Sequence, residues 1–241
     1  MVNKHRWYKA QKTELEFWRA EAKSPRYFGL DGISHTPVDE MLRPFDLNSE
    51  KIALLSPSVI IEVGCGPYGL IHYLDTPALR VGLDPLTLEV ESAGLKNRRG
   101  VQRLQAVGEH IPISANSAEL VICYNVLDHM ADPAAACVEI ARVLRKGGIL
   151  LFELHVFPQW IGLPGAFILG LVDTPHPFHF TVRQVKDLLL GAGLGIETFR
   201  LHRRNAWRIS IRDLWTRDGV RHLGSNILES VVYIRARKPY Q

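Results

Sequence analysis

Apolar and polar positions along the chain form two kinds of block. Short runs rich in β-branched and apolar residues are typical of buried parallel strands, and stretches with apolar residues three and four positions apart are typical of amphipathic helices. Strands are predicted over 58–63, 80–83, 101–106, 120–124, 149–154, 195–202 and 228–235. Helices are predicted over 6–22, 49–55, 86–96, 133–144 and 181–190, and from the turn after the first strand to about residue 75.

Residues typical of helix caps mark some of the predicted helix boundaries. Asp132-Pro133 offers a capping side chain and a proline at the first helical position. Lys146-Gly147-Gly148 is predicted to end that helix. Thr181 followed by Gln184 has the spacing of a capping box. Residues 25–47, rich in Pro, Gly and Asp, are predicted to be irregular.

Strands that alternate with helices predict an α/β fold, in which helices cover both faces of a mostly parallel sheet. Ligands on such sheets bind at the carboxyl ends of the strands, where the strand order reverses. The residues that directly follow each strand are therefore the functional candidates.

Composition limits the class of protein. With 241 residues, 46% of them hydrophobic and 22% charged, the chain has room for one full α/β domain. Three scattered cysteines, Cys65, Cys123 and Cys137, do not form a disulfide framework and fit a reduced compartment. Charged residues, prolines and glycines interrupt the apolar stretch 149–172, so no membrane span is predicted. Since the first twenty residues do not resemble a signal peptide, we expect a cytoplasmic protein.

The net charge of +4 is unevenly distributed. Residues 200–241 hold ten Arg or Lys against three acidic residues, and the rest of the chain is net negative. This basic end fits an anionic partner, such as a phosphorylated substrate or RNA. A solvated basic face with no partner is the alternative.

A glycine-rich loop follows the first predicted strand. Gly64-Cys65-Gly66-Pro67-Tyr68-Gly69 matches G-x-G-x-x-G, in which glycines allow a tight turn and a close approach of the backbone to a ligand. Asp84, twenty residues beyond Gly64 and directly after the second strand, is placed to accept ribose hydroxyls. On its own, this pattern indicates only a cofactor with a nucleoside part.

Further motifs follow in a fixed order. Glu62 lies two residues before the first glycine, Gly108-Glu109-His110-Ile111-Pro112 follows the third strand, and Asn125-Val126-Leu127-Asp128-His129 follows the fourth. Over residues 58–156 the chain resembles the class I S-adenosylmethionine-dependent methyltransferases, of the type 11/12-like small-molecule branch. The resemblance implies a Rossmann-like sheet of seven strands, mostly parallel with the last antiparallel. It also implies S-adenosyl-L-methionine as the cofactor. NAD-dependent oxidoreduction is the least favoured function.

The resemblance assigns parts of the cofactor to residues of this chain. The glycine loop would line the methionine part, with Glu62 near its ammonium group. Asp84 would accept the ribose hydroxyls, and Asn125 would face the sulfonium. Since Val107 replaces an acid found in many relatives, we expect backbone groups to hold the adenine. The implied cofactor residues are Glu62, Gly64, Cys65, Gly66, Gly69, Asp84, Pro85, Leu86, Gly108, Glu109, Asn125 and Val126.

Four histidines are candidates for the base that a hydroxyl acceptor needs when its methylation removes a proton. They are His129, His155, His176 and His179. The alternative is that each only satisfies backbone groups at a strand end or helix start. The run 176–181 is similar to one in relatives linked to sugar and polysaccharide modification. No metal site is predicted, because no Cys or carboxylate cluster accompanies the pair at 176 and 179.

The chain is predicted to comprise an N-terminal helical cap segment, 1–57, and a methyltransferase domain, 58–241. An apolar insertion at about 156–180 would be a lid, a dimer contact, an acceptor wall or ordinary core. The aromatic side chains of the first helix, including Trp7, Tyr8, Phe17 and Trp18, would close over the cofactor, pack in the core or form a homodimer contact.

These features favour O-methylation of a small molecule, such as a sugar or another secondary metabolite, with an anionic or sugar-like acceptor. The alternatives are an RNA methyltransferase that uses the basic end, and a non-catalytic binding protein with the same fold.

Overall fold

The computed structural model describes residues 4–23, 38–94, 100–159, 176–203 and 229–240. These residues build a seven-stranded sheet with the order β3-β2-β1-β4-β5-β7-β6. Its strands are β1 Val59–Val63, β2 Leu79–Leu83, β3 Val101–Leu104, β4 Ala118–Tyr124, β5 Leu144–Val156, β6 Gly195–Arg203 and β7 Ser230–Arg237. β7 runs antiparallel to both β5 and β6, and the other neighbouring strands are parallel. The predicted fold class is confirmed.

The described residues form the helices α1 Lys4–Lys23, α2 Val38–Leu42, α3 Ser49–Leu54, α4 Thr87–Ser92, α5 Pro133–Val143 and α6 Val182–Gly191. Both predicted helix starts are confirmed. The Asp132 side chain accepts a hydrogen bond from the Ala135 amide at the start of α5, and Thr181 and Gln184 form a reciprocal capping box at the start of α6. None of the described helices is long and apolar enough to cross a bilayer.

Three predictions of local structure were wrong. Part of the segment 25–47 is helical, because α2 and the 3₁₀ turn Arg43–Phe45 bury apolar side chains against the sheet. The turn after β1 leads into a short 3₁₀ turn, Leu70–His72, instead of a longer helix. The glycines at 147 and 148 do not end α5, since the strand β5 already begins at Leu144.

Apolar side chains cover both faces of the sheet. α5 and α6 pack with one face in a cluster that includes residues of β1, β4, β5 and β7. On the other face, Leu42, Phe45 and Ile52 from the N-terminal segment join residues of β1, β4 and β5. Residues 42–52 are therefore anchored in the core of the sheet.

The strand order determines where a ligand can bind. β1 lies between β2 and β4, so the order reverses beside β1 and leaves a crevice at the carboxyl edge of these strands. Of the predicted apolar insertion, residues 160–175 lie outside the described residues, as does the part of the basic end at 204–228.

Candidate active site

A cavity of about 930 Å³ lies at the carboxyl edge of the sheet, between the strand ends and α1. The glycine loop after β1 and the segments after β2, β3 and β4 form its walls. All twelve residues that the sequence assigned to the cofactor line this cavity. The topology brings them together from positions up to 64 residues apart, between Glu62 and Val126. Their contacts with a bound cofactor stay a prediction.

The glycine loop is held against the ends of β2 and β4. The amides of Gly64 and Cys65 both donate to the Leu83 carbonyl, at 2.7 and 3.1 Å. Gly64 has φ +72°, and a Cβ on it would overlap the side chain of Val126. Both the backbone conformation and the contact therefore require glycine here. The Cys65 side chain is buried in the second apolar cluster, so this residue offers the cavity its backbone.

The Glu62 side chain stabilises the end of the same loop through two hydrogen bonds. Its side chain is 1% exposed, Oε1 accepts from the Leu70 amide at 3.1 Å, and Oε2 accepts from the Ile71 amide at 2.8 Å. A Cβ on Gly69 would overlap this carboxylate. Burial raises the pKa of Glu62 to about 8. The carboxylate is thus structural as well as cavity-lining, and within the described residues both of these donors are neutral backbone amides.

Asp84 and Arg103 connect the glycine loop to β2 and β3. Asp84 Oδ2 accepts from the Gly66 amide at 3.0 Å, and Oδ1 accepts from the Leu86 amide at 2.8 Å. Burial raises the pKa of Asp84, and these amides and the Arg103 charge oppose that rise. Arg103, with its side chain 2% exposed, donates from Nη2 to the Gly66 carbonyl at 3.0 Å. Sequence reasoning missed Arg103, because two of the four residues of β3 are exposed and the strand gives no local sign that this arginine is buried.

The segment after β3 is fastened to the segment after β4. Glu109 Oε1 accepts from the amides of Ala131 and Asp132, at 2.6 and 2.9 Å. A Cβ on Gly108 would lie 2.8 Å from Cε of Met130. Gly108 and Glu109 therefore shape this wall of the cavity, whatever contact they make with an adenine ring.

Side chains of the first helix, α1, form a further wall of the cavity. Trp7 Nε1 donates to the His129 carbonyl at 3.1 Å, and the Trp18 ring lies 5.9 Å from the Tyr68 ring of the glycine loop. Trp7, Phe17 and Trp18 line the cavity, whereas Tyr8 is 63% exposed. Trp7, Phe17 and Trp18 thus lie where they could close over a cofactor, and that role stays a prediction beside core packing and a dimer contact.

Two of the four candidate histidines meet at the cavity. The rings of His129 and His176 lie 4.6 Å apart between centroids, and both line the cavity. The buried carboxylate of Asp128 lies near both rings, with Oδ1 3.9 Å from His129 Nε2 and Oδ2 4.0 Å from His176 Nε2. Glu14 of α1 lies on the other side of the His129 ring, with Oε2 4.0 Å from Nδ1.

The other two histidines lie elsewhere. His155 Nδ1 lies 3.1 Å from Glu229 Oε2, and the His179 ring packs 5.2 Å from the Phe157 ring. Within the described part of the chain, neither residue lines the cavity. The structure therefore separates a histidine pair with access to a bound ligand from two histidines engaged with other side chains.

Sequence reasoning also missed two acidic residues of this site. Asp128 and Glu14 are 48 and 162 residues away from His176 along the chain, and nothing in the local pattern predicts their meeting. Asn125, at the end of β4, has φ +52° and donates its amide to the Glu153 carbonyl at 2.9 Å. Asparagine adopts such a left-handed conformation more readily than most residues.

Comparison with known proteins shows which protein family this chain is similar to. A family profile described as a methyltransferase domain matches residues 61–152. An uncharacterized methyltransferase from Mycobacteroides abscessus is 31% identical over 164 residues, which cover 65% of this chain and 60% of that protein. Another from Mycolicibacterium gilvum is 29% identical over 161 residues, which cover 65% of this chain and 60% of that protein. The chain thus spans less than two thirds of the length of these relatives.

Solved structures share the fold. An S-adenosylmethionine-dependent methyltransferase from Thermotoga maritima aligns with a TM-score of 0.57 and 18% identity, over 92% of this chain and 97% of that chain. A geranyl diphosphate methyltransferase aligns with a TM-score of 0.59 and 14% identity, over 75% of this chain and 71% of that chain. At these identities the likeness extends to the fold alone.

The sheet defines a Rossmann-like fold with a cavity at the switch point beside β1, where folds of this kind bind ligands. The matched family and the relatives specify it further. Residues 61–152 match the methyltransferase-domain profile and the similar proteins are methyltransferases, which confirms the resemblance to the class I S-adenosylmethionine-dependent methyltransferases drawn from the motifs.

Proposed function

We propose that the chain is an enzyme that transfers a methyl group from S-adenosylmethionine to an oxygen atom of a small molecule, such as a sugar or another secondary metabolite. The observation that carries this proposal is the pair His129 and His176 on the wall of the cavity that the glycine loop also lines. The likeness of the run 176–181 to relatives linked to sugar modification favours a sugar-like acceptor.

The residues of the cavity fit the cofactor. Gly64 and Gly66 present backbone without a Cβ, and the Asp84 carboxylate lies at the end of β2, where ribose hydroxyls would reach it. Glu62 is a buried carboxylate on the cavity wall that a cationic ammonium would complement. When bound, S-adenosylmethionine supplies an electrophilic methyl group for an in-line displacement.

The histidine pair is suited to an acceptor that must lose a proton. An imidazole accepts the proton of a hydroxyl group, and the Asp128 carboxylate, about 4 Å from both rings, stabilises the resulting cation. Such a base contributes about 10²- to 10⁴-fold in rate. Alignment of the acceptor by the rest of the cavity contributes roughly 7–11 kcal/mol.

Helix α1 gives the cavity its cover. Trp7 and Trp18 line the cavity and contact the segments that follow β4 and β1, so they would limit the access of water to the methyl group. Exclusion of water strengthens the electrostatic interactions inside the cavity and prevents side reactions.

Ligand binding and methyl transfer test the proposal in turn. S-adenosylmethionine should raise the melting temperature of the full chain, whereas NAD should not, because only a ligand of the folded state stabilises it. Asp84→Ala should abolish most of this shift. Asp75→Ala is the matched control, since Asp75 is exposed and lies outside the cavity, and it should keep the full shift.

Transfer is measured with S-adenosylmethionine labelled in its methyl group and a panel of hydroxylated small molecules, with RNA as the competing class of acceptor. We expect label in an oxygen-methylated small molecule. Label in RNA alone would overturn the proposed acceptor class, and a melting temperature that S-adenosylmethionine leaves unchanged would overturn the proposed cofactor.

A further inference from the structure

We propose that Asp128, His129 and His176 form a binding site for a divalent first-row transition-metal cation in the wall of the cavity. One ligand atom from each residue lies within 4.8 Å of the other two. The residues come from the 3₁₀ turn after β4 and from the segment before α6, and the amide of Phe178 ties the two together by donating to the Asp128 carbonyl at 3.3 Å.

The distances need little change to close around a cation. His129 Nε2 and His176 Nε2 lie 3.9 and 4.0 Å from the two oxygens of Asp128. Imidazole nitrogen and carboxylate oxygen bind zinc at about 2.0–2.2 Å, which places tetrahedral ligands about 3.4 Å apart. Closure around a cation therefore requires the ligand atoms to move from separations of at most 4.8 Å to about 3.4 Å.

The hydrogen bonding of the Asp128 carboxylate is incomplete. Asp128 Oδ1 is buried and accepts no hydrogen bond from the described residues, and the side chain is 8% exposed. A carboxylate withdrawn from water without a hydrogen-bond donor is costly in free energy. Buried carboxylates of this kind are normally paired with a cation or bind a metal, and within the described residues the ion-pair partners of Asp128 are the two histidines.

Glu14 lies where it could accept a hydrogen bond from a metal-bound His129. Metal-bound imidazoles commonly donate their second ring N–H to a carboxylate, which sets the ring orientation. Glu14 Oε2 lies 4.0 Å from Nδ1 of His129, on the side of the ring away from Asp128. The Trp7 indole also fixes His129, because it donates a hydrogen bond to the His129 carbonyl oxygen.

The ligand set defines the class of ion. Two imidazoles and one carboxylate suit Zn²⁺, Fe²⁺, Co²⁺ or Ni²⁺, whereas Ca²⁺ and Mg²⁺ prefer oxygen ligands alone. Three protein ligands leave coordination positions open to the cavity. This step rests on the proposed function: in the metal-free chain the imidazoles serve as the base, and with the cation bound an acceptor hydroxyl on it would lose its proton more readily, to solvent water, while the histidines act as ligands.

Cobalt is the probe for the test. The untagged full chain, treated with a chelator and dialysed, is titrated with Co²⁺ while visible absorption and binding heat are measured. We expect one equivalent to bind, with the visible bands of a nitrogen- and oxygen-ligated ion, and Zn²⁺ to displace it.

Variants locate the site. Asp128→Asn and His176→Ala should each weaken Co²⁺ binding by at least about 100-fold, the upper end of the loss seen when an outer partner is removed. His179→Ala and His155→Ala are matched controls that remove a histidine outside the cluster, and both should bind Co²⁺ as the wild type does. Far-UV circular dichroism checks that each variant is folded.

Two results would overturn the inference: no Co²⁺ spectrum in the wild type at millimolar Co²⁺, or equal affinity in the folded cluster variant and the controls. If one cluster variant does not fold, the other decides. The S-adenosylmethionine melting shift, measured on the metal-free chain, keeps the two proposals apart. A lost cobalt site with an intact shift overturns the metal alone, and an intact cobalt site without a shift overturns the proposed cofactor alone.

Discussion

Gly64 is the residue at which the loop after β1 touches the end of β4. An alanine there would adopt φ +72°, at a cost of about 1–2 kcal/mol, and its Cβ would overlap Val126, at a further cost of about 1–3 kcal/mol. We expect Gly64→Ala to lower the free energy of unfolding by the sum of both, as measured by urea denaturation.

Gly94 distinguishes the conformational cost from the contact cost, because it has φ +91° and no atom of the described residues lies within 4 Å of its added Cβ. Gly94→Ala should therefore show the conformational cost alone. Combining Gly64→Ala with Val126→Ala should recover part of the loss, and equal losses in the Gly64 and Gly94 variants would show that the contact with Val126 is unimportant.

Glu62 makes stability depend on pH. Burial raises its pKa from an ordinary value of 4.5 to about 8, so the folded protein holds this proton more tightly than the unfolded chain. The contribution of Glu62 to the free energy of unfolding is full below about pH 4.5 and declines as the pH rises to about 8. Glu62→Gln should remove that decline, and should also cost about 1–3 kcal/mol throughout, because an amide nitrogen cannot accept from Leu70 or Ile71.

Glu119→Gln is the control for this experiment. Glu119 Oε2 also accepts two backbone amides, those of Ser58 and Val59, but Glu62 stays intact in the variant. Denaturation curves between pH 4.5 and 8 should therefore keep the wild-type pH dependence. A Glu62→Gln protein with the same pH dependence as the wild type would assign the effect to another group.

At the scale of secondary structure, α1 acts as the cover of the cavity. Trp18 packs against Tyr68 of the glycine loop, so Trp18→Ala should open the cavity and reduce the melting shift caused by S-adenosylmethionine, with a smaller effect on the ligand-free protein. Tyr8→Ala on the same helix is the control, because Tyr8 is 63% exposed. Equal shifts in both variants would mean that α1 does not contact the bound cofactor.

The elements also show what a sequence can and cannot predict. The strands and the residues after them were predictable, because apolar runs and glycine or acidic residues at strand ends are local signals. The 3₁₀ turn Leu70–His72 was not, because a buried carboxylate eight residues earlier accepts its amides. The meeting of Asp128 with His176 was not predictable either, since it depends on how the segment before α6 returns to the end of β4.

At the scale of the whole molecule, β7 is the last strand in sequence but lies between β5 and β6. It pairs with eight residues of β5, and Val232, Ile234 and Ala236 are fully buried. A chain that ends at residue 228 would leave the facing edges of β5 and β6 unpaired and that apolar surface exposed, so we expect it to lose cooperative thermal unfolding and to aggregate. A chain that ends at Lys238 is the control, because it keeps the strand and the hydrogen bond from the Lys238 amide to the Gly148 carbonyl. Cooperative melting of the shorter chain, with an unchanged S-adenosylmethionine shift, would show that the cofactor half of the sheet folds without its other half.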